Sequence, residues 1–158
     1  ATFSEMASAE EKSLLGRYRL MDVLLQKLNA MKTAIDESLT AKSPLQRYDD
    51  VEKDLRDKWE DELAASIEAE YRRQRTDLLT ILQRWLRDIW LQPISKSDPR
   101  NTDLLNFPTL TGTKRVAARI SSQDAVDNLQ IIEATQRLLH TNVQEALALE
   151  VGLLKLHL

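Results

Sequence analysis

The sequence predicts an all-α fold, a bundle of about five helices with a long antiparallel helical hairpin arm packed onto a C-terminal core. Only three glycines and four prolines interrupt the 158 residues. Strong helix formers such as Ala, Leu, Glu, Lys, Arg and Gln dominate the remainder. Apolar residues recur at steps of three and four along most of the chain, which is the spacing of one helical face.

The first helix is predicted from about Ser8 to about Thr40. Ser8 and Glu11 fit the Ser-x-x-Glu capping box, whose side chains satisfy the free amides at a helix start. The expected apolar face comprises Leu14, Tyr18, Met21, Leu25, Leu28, Ile35 and Leu39. The helix should end before Pro44, because a residue that precedes proline disfavours the helical conformation.

The second helix is predicted from about Val51 to about Leu91, and its two halves differ. The apolar residues of its charged first half step by four every time: Val51, Leu55, Trp59, Leu63, Ile67 and Tyr71. Each such step overshoots a full turn by about 40°. Either a partner helix wraps around this stripe, or the element bends or breaks near residues 64–65. The second half, LLTILQRWLRDIWL, is apolar on more than one face and should be surrounded by other helices.

The charged first half of this helix should lie against the later part of the first helix, and the two together form the hairpin arm. Residues 92–103 hold two prolines and several turn formers, which predicts a loop. Pro108 is expected in the first turn of a helix over about residues 108–120.

Two further helices are predicted at the C-terminus. Ser121 and Asp124 fit a capping box for a helix over about residues 122–140. Asn142 with Glu145 is expected to cap the last helix, which ends in the leucine-rich stretch ALALEVGLLKLHL. We expect Leu147 and Leu154 of this helix to face the core, where an aspartate would prevent folding.

The sequence shows little chemistry of its own. The absence of cysteine removes disulfides, thiolate metal sites and cysteine nucleophiles. The two histidines stand in no zinc or carboxylate-bridged metal motif, and three glycines cannot build a phosphate-binding loop. We therefore predict no catalytic residue, no cofactor and no metal for this chain. We also find no secretory signal and no apolar run as long as a membrane span.

Two kinds of surface remain as candidates for binding. The net charge of −3 gives no overall basic field, but Arg72, Arg73 and Arg75, together with Lys114 and Arg115, are candidate phosphate contacts. Nearby acidic residues weaken the positive field of these clusters, and the mixture of charges favours a solvated surface.

Trp59 lies in charged sequence and either packs on the first helix or belongs to a partner interface, where tryptophan is enriched.

Several segments of the C-terminal half together resemble a known domain. They are LLTILQRWLRDIWL, the loop segment DLLNFP, a helix that ends in ARIS, and NLQIIEATQRLLHTNVQEALALEVGLLKL. Their order and spacing, over about residues 76–158, resemble the C-terminal collar domain of bacterial DNA polymerase III clamp-loader subunits, the delta prime and gamma/tau group. The matching positions are Trp85 to Asp88, Asn142, and Ala146 to Leu156.

The resemblance implies a non-catalytic oligomerisation domain. In that family five collars pack into a ring that holds the clamp loader together for sliding-clamp loading in DNA replication. The implied partners are gamma/tau and delta subunits, with DNA reached only through the assembled loader and with no membrane or small-molecule substrate. The last helix would then pack inside its own domain and also line up against neighbouring collars, through Leu149, Leu153 and Leu156. Trp59 is a further candidate interface residue.

The same resemblance sets the expected organisation of the chain. We expect one helical domain over residues 1–158, with a projecting charged arm at about 30–72 and a collar-like core at about 76–158. It would be the C-terminal part of a longer cytoplasmic subunit that carries an ATPase-type module, while any nucleotidyltransferase activity resides in other subunits. Delta prime fits better than tau, because the loop after Trp90 leads to the C-terminal end without further domains.

Two alternative functions stay open at this point. The chain could be a stand-alone helical adaptor that binds a partner helix through its charged arm. It could also be a small helical domain that binds nucleic acid weakly through its basic clusters. The arm exceeds what the family pattern needs, and the sequence gives it no purpose.

Overall fold

The computed structural model describes residues 2–9, 14–48, 52–97 and 103–158. Within these ranges the chain is all-helical and has no β-strand, which confirms the predicted fold class. The helices are α1 (Thr2–Ala9), α2 (Leu14–Thr40), α3 (Lys53–Ser97), α4 (Thr111–Arg119), α5 (Ser122–Leu138) and α6 (Glu145–Leu154), with a 3-10 helix at Pro44–Gln46. None of these helices combines the length and the apolar composition that crossing a membrane requires.

The chain divides into two compact units. Unit 1 comprises Ala1–Leu25 and Leu79–Leu158, and unit 2 comprises Gln26–Leu78. Unit 1 therefore contains α1, α4, α5 and α6 with the beginning of α2 and the end of α3. Unit 2 is the helical hairpin made from the rest of α2 and α3.

Two predicted helix starts are wrong. Ser8 does not begin the first long helix but lies at the end of α1, where its hydroxyl donates to the Glu5 carbonyl over 2.7 Å. Its proposed capping partner, Glu11, lies outside the described residues. Asn142 lies in a turn, and α6 begins only at Glu145, after a residue that makes no side-chain cap.

Pro93 and Pro108 also behave differently from the prediction. Helix α3 passes Pro93 and ends at Ser97, so the loop predicted to start at residue 92 begins later. A proline removes one helical hydrogen bond, but the burial of Leu91 and Gln92 just before it holds this turn in place. Pro108 lies in a turn ahead of α4 rather than in its first helical turn.

Other local signals are confirmed. The hydroxyl of Ser121 accepts from the Asp124 amide, and the Asp124 carboxylate accepts from the Ser121 amide, so the capping box that starts α5 is complete. Ser43 has the extended backbone expected before Pro44, with φ −65° and ψ 141°, and α2 ends three residues earlier.

In unit 1, Trp85 of α3 joins three helices. Its side chain is 3% exposed, and its indole N–H donates to the buried Thr113 hydroxyl of α4 over 3.0 Å. The Phe3 ring of α1 meets the Trp85 ring edge-on, with centroids 5.7 Å apart. Helix α1 also lies so close to α4 that a β-carbon at Gly112 would collide with the backbone of Ser4. The close approach of the two helices therefore requires a glycine at position 112.

The chain's last residues are fixed to α5. The buried side chain of Asn128 donates from Nδ2 to the His157 carbonyl over 2.8 Å and accepts from the His157 amide over 2.7 Å. Leu156 and Leu158 flank this contact and are 1% and 8% exposed. Gly152 of α6 faces Thr135 of α5 with no space for a side chain between them. The leucine-rich end of the sequence is thus a core element of unit 1.

In unit 2, α3 is one continuous helix, so the break considered near residues 64–65 does not occur. Burial along its apolar stripe falls instead from the base of the hairpin to its tip. Tyr71 is 6% exposed, while Leu55, four steps earlier, is 42% exposed. Four steps turn the stripe by about 160° around the helix axis, which is why Leu55 no longer faces α2 when Tyr71 does.

Tyr71 is the main aromatic residue at the base of the hairpin. The Lys32 ammonium of α2 lies 5.6 Å from its ring centroid, and the Arg75 guanidinium lies 5.8 Å from it. Both distances are within the range of cation–π attraction, which contributes about 0.5–1 kcal/mol at exposed sites and about 2 kcal/mol or more where the groups are buried. Lys32, which interrupts the apolar series of α2, therefore also contributes to the contact between the two helices.

Candidate partner interface

Three of the four residues predicted to face a partner are core residues. Leu149, Leu153 and Leu156 are 0%, 4% and 1% exposed, because they occupy the side of α6 and of the following segment that packs into unit 1. A side chain with no accessible surface has nothing to offer a neighbouring subunit. The assignment of these three leucines to a partner surface is therefore corrected.

The opposite side of α6 is exposed and almost entirely apolar. Leu147 and Val151, one turn apart, are 51% and 41% exposed, and Leu154 continues their line as a half-buried residue. Since successive residues of a helix are 100° apart, Ala146 and Glu150 lie on the same outward side of α6. The expected core position of Leu147 is therefore wrong as well. We call Leu147, Val151 and Leu154 the outer face of α6.

A groove extends this face along α5. It has a volume of about 620 Å³, and it is lined by Arg17, Asp127, Gln130, Ile131, Ala134, Leu154, Lys155 and His157. Apolar side chains of both helices therefore open into one depression. The Arg17 guanidinium of α2 donates to the Leu154 carbonyl over 2.8 Å, which satisfies the C-terminal end of α6 and places a cation at the edge of the groove.

Trp59, the fourth predicted interface residue, lies on the surface of unit 2. It is half-buried, and its ring lies 6.2 Å from the ring of the exposed Tyr48 at a tilt of 43°. It also lines a groove of about 270 Å³ with Leu39 and Pro44. Trp59 thus contacts Tyr48 of the segment between α2 and α3 and shares a groove with Leu39 of α2. Packing on the first helix and a partner interface both stay predictions for this residue.

The predicted phosphate contacts on α3 are largely engaged within the protein. Arg72 pairs with Glu68 over 2.7 Å, and Arg73 binds both carboxylate oxygens of Glu70 over 2.7 and 2.9 Å and Asp77 over 3.0 Å. Arg75 is only 7% exposed, so its assignment as a phosphate contact is corrected.

Lys114 and Arg115, the other two candidates, are exposed on α4. They are adjacent in the sequence and together carry two positive charges. Two phosphate contacts are few compared with the six to ten of a typical DNA-binding protein. The described basic residues therefore favour a solvated surface over a nucleic-acid interface.

The Glu70–Arg73 pair makes the stability of unit 2 depend on pH in the acid range. The hydrogen bond from Arg73, assisted by one from Gln74, lowers the pKa of Glu70 from 4.5 to about 2, and the same pair raises the pKa of Arg73. Because the folded pKa lies below the unfolded one, the pair stabilises the hairpin above about pH 4.5. That contribution is lost as the pH falls towards 2.

We therefore predict that the carboxyl carbon of Glu70 titrates in NMR with a midpoint near pH 2 in the wild type. Replacing Arg73 with glutamine should move that midpoint upwards, towards 4.5, because the largest cause of the shift is removed. Arg72→Gln, which breaks the neighbouring pair with Glu68, serves as the control and should leave the midpoint unchanged. If the midpoint of Glu70 moved equally in both variants, the net positive charge of this helix segment, and not the contact with Arg73, would set the pKa of Glu70.

Sequence reasoning missed the most constrained polar residue of unit 1, Asp88. Its side chain is 0% exposed, and Oδ1 accepts from the Asn106 amide and from the Asn106 side chain over 3.0 and 2.9 Å. Oδ2 accepts from the Phe107 amide over 2.7 Å, and the neighbouring Arg87 donates to the Leu104 carbonyl over 3.0 Å. The segments WLRD and LLNF therefore bind each other directly. The signal available in the sequence was a single acidic residue inside a strongly apolar stretch.

In the part of the chain that the structure describes, no three His, Asp or Glu side chains come together as ligands for a metal ion. Comparison with models of protein families, with curated proteins and with solved structures gives no significant match to this chain.

Proposed function

We propose that this chain is a non-catalytic assembly domain, the collar of a delta prime-like clamp-loader subunit that acts in the cytoplasm. It would associate with the equivalent domains of gamma/tau and delta subunits, and reach DNA only through the assembled loader. The observation that carries the proposal is the outer face of α6. Leu147 and Val151 expose apolar surface on a helix whose other side already forms the core of unit 1.

Two further observations support a role in assembly. Exposed apolar residues that share one helix face are typical of protein interaction sites, whereas scattered ones need no explanation. The segments on which the resemblance to the collar family rests also form a connected structure, since Asp88 and Arg87 bind the LLNF segment. A buried carboxylate that accepts three hydrogen bonds joins these two segments rigidly, and a fixed shape favours assembly with partner subunits.

The test is light scattering on a sizing column with the chain alone and mixed with the collar domains of gamma/tau and delta from the same source. We expect a mixed complex of defined mass. The double variant Leu147→Asp/Val151→Asp should weaken it by about 30-fold or more, because two unpaired charges would enter an apolar contact.

Leu55→Asp is the matched control, because Leu55 is an equally apolar residue that is 42% exposed, on unit 2. This variant should assemble like the wild type. A wild-type chain that remains a monomer with both partners would overturn the clamp-loader proposal. A double variant that assembles normally would show that the partners use a different face.

A further inference from the structure

A long groove runs along one side of the hairpin in unit 2, between α2 and α3. Its larger part has a volume of about 710 Å³, and its smaller part, nearer the turn of the hairpin, has a volume of about 270 Å³. The two parts are continuous, because Leu39, Lys42 and Ser66 line both of them. Ile35 also lines the groove and is only 5% exposed, so the groove reaches the apolar contact between the two helices. We call it the hairpin groove, and its two sides the α2 wall and the α3 wall.

Small, exposed side chains form the centre of both walls. They are Ala34 and Ser38 on α2, and Ser66 and Ala69 on α3. Since successive residues of a helix are 100° apart, each pair lies at roughly a right angle to the side on which the two helices of the hairpin contact each other. In a four-helix bundle each helix packs against two neighbours in two such directions. The hairpin therefore has the form of half a four-helix bundle.

The α2 wall carries only positive charge. Lys27 lies two turns before Ala34 on the same line of α2, and Lys42 lines the groove at its other end. Both side chains are exposed, and neither forms an ion pair with a described residue. The acidic residues of this part of α2, Asp36 and Glu37, lie about 180° and about 80° around the helix from that line. The α2 wall therefore offers two lysines to a partner.

The α3 wall is mainly acidic. Glu62, Glu70 and Asp77 lie on this side of α3, together with the cations Lys58 and Arg73. Arg73 already binds Glu70 and Asp77, at 2.7 and 3.0 Å, whereas Lys58 approaches Glu62 only to 3.9 Å. Three acidic and two basic residues leave this wall with a net charge of −1, opposite in sign to the two lysines of the α2 wall. The two walls are therefore complementary to each other, and together they favour neither a uniformly basic nor a uniformly acidic helix.

At the base of the hairpin, a lysine and a carboxylate lie at the same level on opposite walls. The ammonium of Lys32 lies 5.6 Å from the ring centroid of Tyr71, which makes these two residues level. Lys27 is five residues before Lys32, and Asp77 is six residues after Tyr71. Because the two helices are antiparallel, Lys27 and Asp77 are level as well. The other end of the groove repeats this arrangement, since a lysine and a glutamate line its smaller part.

We propose that the hairpin groove binds the hairpin of a second copy of this chain, and that the two hairpins form a four-helix bundle. A two-fold axis runs along the hairpins, so that the α2 wall of each copy packs against the α3 wall of the other. The charges of the walls select this occupant, because a second copy brings both walls in the register that each requires. The interface lies in unit 2 and does not include the outer face of α6, so it does not depend on the proposed function.

This arrangement joins opposite charges at both ends of the groove. Lys42 meets Glu62 of the second copy, since both line the same part of the groove, and Lys27 meets Asp77. Each pair occurs twice, because the dimer is symmetric. Between the ends, the small residues of the α2 wall face those of the α3 wall, which allows the helix axes to approach to about 8 Å. The charged pairs therefore set the register, and the small residues permit close packing.

Sedimentation equilibrium of the full chain over about 1–200 µM measures the association. We expect a reversible change from the 18.1 kDa monomer to a dimer. Ala69→Arg should weaken the dimer at least about tenfold, because a long charged side chain enters a close contact between helices. Ala64→Arg is the matched control, since Ala64 is exposed on the same helix and lies about 140° around it from Ala69. This variant should dimerise like the wild type.

Exchanging two charges tests whether the occupant is a second copy. Lys42→Glu and Glu62→Lys should each weaken the dimer about tenfold at about 50 mM salt, because each variant brings like charges together at two equivalent contacts. The variant that carries both substitutions should dimerise within about threefold of the wild type, since the exchanged charges again face each other across the two-fold axis. A partner of any other sequence would not restore binding in this way.

The absence of cysteine from the chain allows single cysteines to report the register. Ser38→Cys and Ser66→Cys place a thiol on the α2 wall and on the α3 wall. Mixed and oxidised, the two variants should form a disulfide-linked dimer, because a disulfide needs Cα atoms about 4.4–6.8 Å apart and these residues face each other in the dimer. Either variant oxidised alone should give several-fold less of the linked product.

A chain that stays a monomer up to about 200 µM overturns the proposal, and so does a charge-exchanged variant that stays as weak as the two single ones. A dimer that Leu147→Asp/Val151→Asp abolishes and Ala69→Arg leaves intact would place self-association on the outer face of α6. That result overturns this proposal and leaves the proposed function standing. A chain that dimerises as described but does not bind gamma/tau or delta overturns the proposed function alone.

Discussion

Replacing Asp88 with alanine should lower the free energy of unfolding of unit 1 by about 3–5 kcal/mol. The carboxylate is completely buried and is the acceptor for two donors of Asn106 and for the Phe107 amide. A hydrogen bond to a charged acceptor contributes about 1.5–3 kcal/mol, and a buried donor left without a partner costs about 1–3 kcal/mol.

The effect is measured by denaturant unfolding in a Trp59→Phe background, where the remaining tryptophans, Trp85 and Trp90, both lie in unit 1. Asp103→Ala is the matched control, because this aspartate belongs to the same connecting segment but is exposed. It should change the unfolding energy by less than about 0.5 kcal/mol. Equal and small effects of both substitutions would show that the joint between WLRD and LLNF contributes little to stability.

Asp88 also marks a limit of sequence reasoning. Periodicity assigns apolar residues to a face, but it treats a polar residue within that face as an interruption. The partners of Asp88 are 18 and 19 residues away in an irregular segment, and only the folded chain brings them together. The same applies to Asn128, whose two hydrogen bonds reach the main chain of His157, 29 residues later.

Predictions from short motifs were more reliable, because the residues of such a motif interact with near neighbours in the sequence. The Ser121–Asp124 box and the extended Ser43 before Pro44 depend on residues at most three positions apart, and both are confirmed. Asn142 failed as a cap because several polar residues precede α6 and the sequence does not rank them. Pro93 failed as a terminator because the burial of Leu91 and Gln92 outweighs the loss of one hydrogen bond.

The candidate interface was the least predictable feature, and the reason lies in the composition of α6. Its sequence, EALALEVGLL, is apolar around nearly the whole helix, so spacing alone cannot separate the side that packs from the side that is exposed. Leu147 and Leu149 look equivalent in the sequence. The close contact of Gly152 with Thr135 places this side of the helix against α5, and a glycine carries no hydrophobic signal.

This orientation leads to a prediction about two leucines of the same helix. Leu149→Ala should destabilise unit 1 by about 2–5 kcal/mol, because the side chain is 0% exposed and its removal leaves a cavity in a packed core. Leu147→Ala removes the same atoms from a residue that is 51% exposed and should cost less than about 1 kcal/mol. Because residue type, helix and substitution are identical, helix propensity cancels between the two variants.

Denaturant unfolding in the Trp59→Phe background measures the loss of stability in each variant. Light scattering with the proposed partners measures whether each variant still assembles. Leu149→Ala should lower stability and, where it stays folded, retain assembly, since Leu149 presents no surface to a partner. Leu147→Ala should retain stability and weaken assembly, since Leu147 lies on the outer face of α6. If the stability losses were equal, α6 would not be oriented as described. If Leu147→Ala were the more destabilising change, the helix would face the core with its other side, and the outer face could not serve as the partner interface.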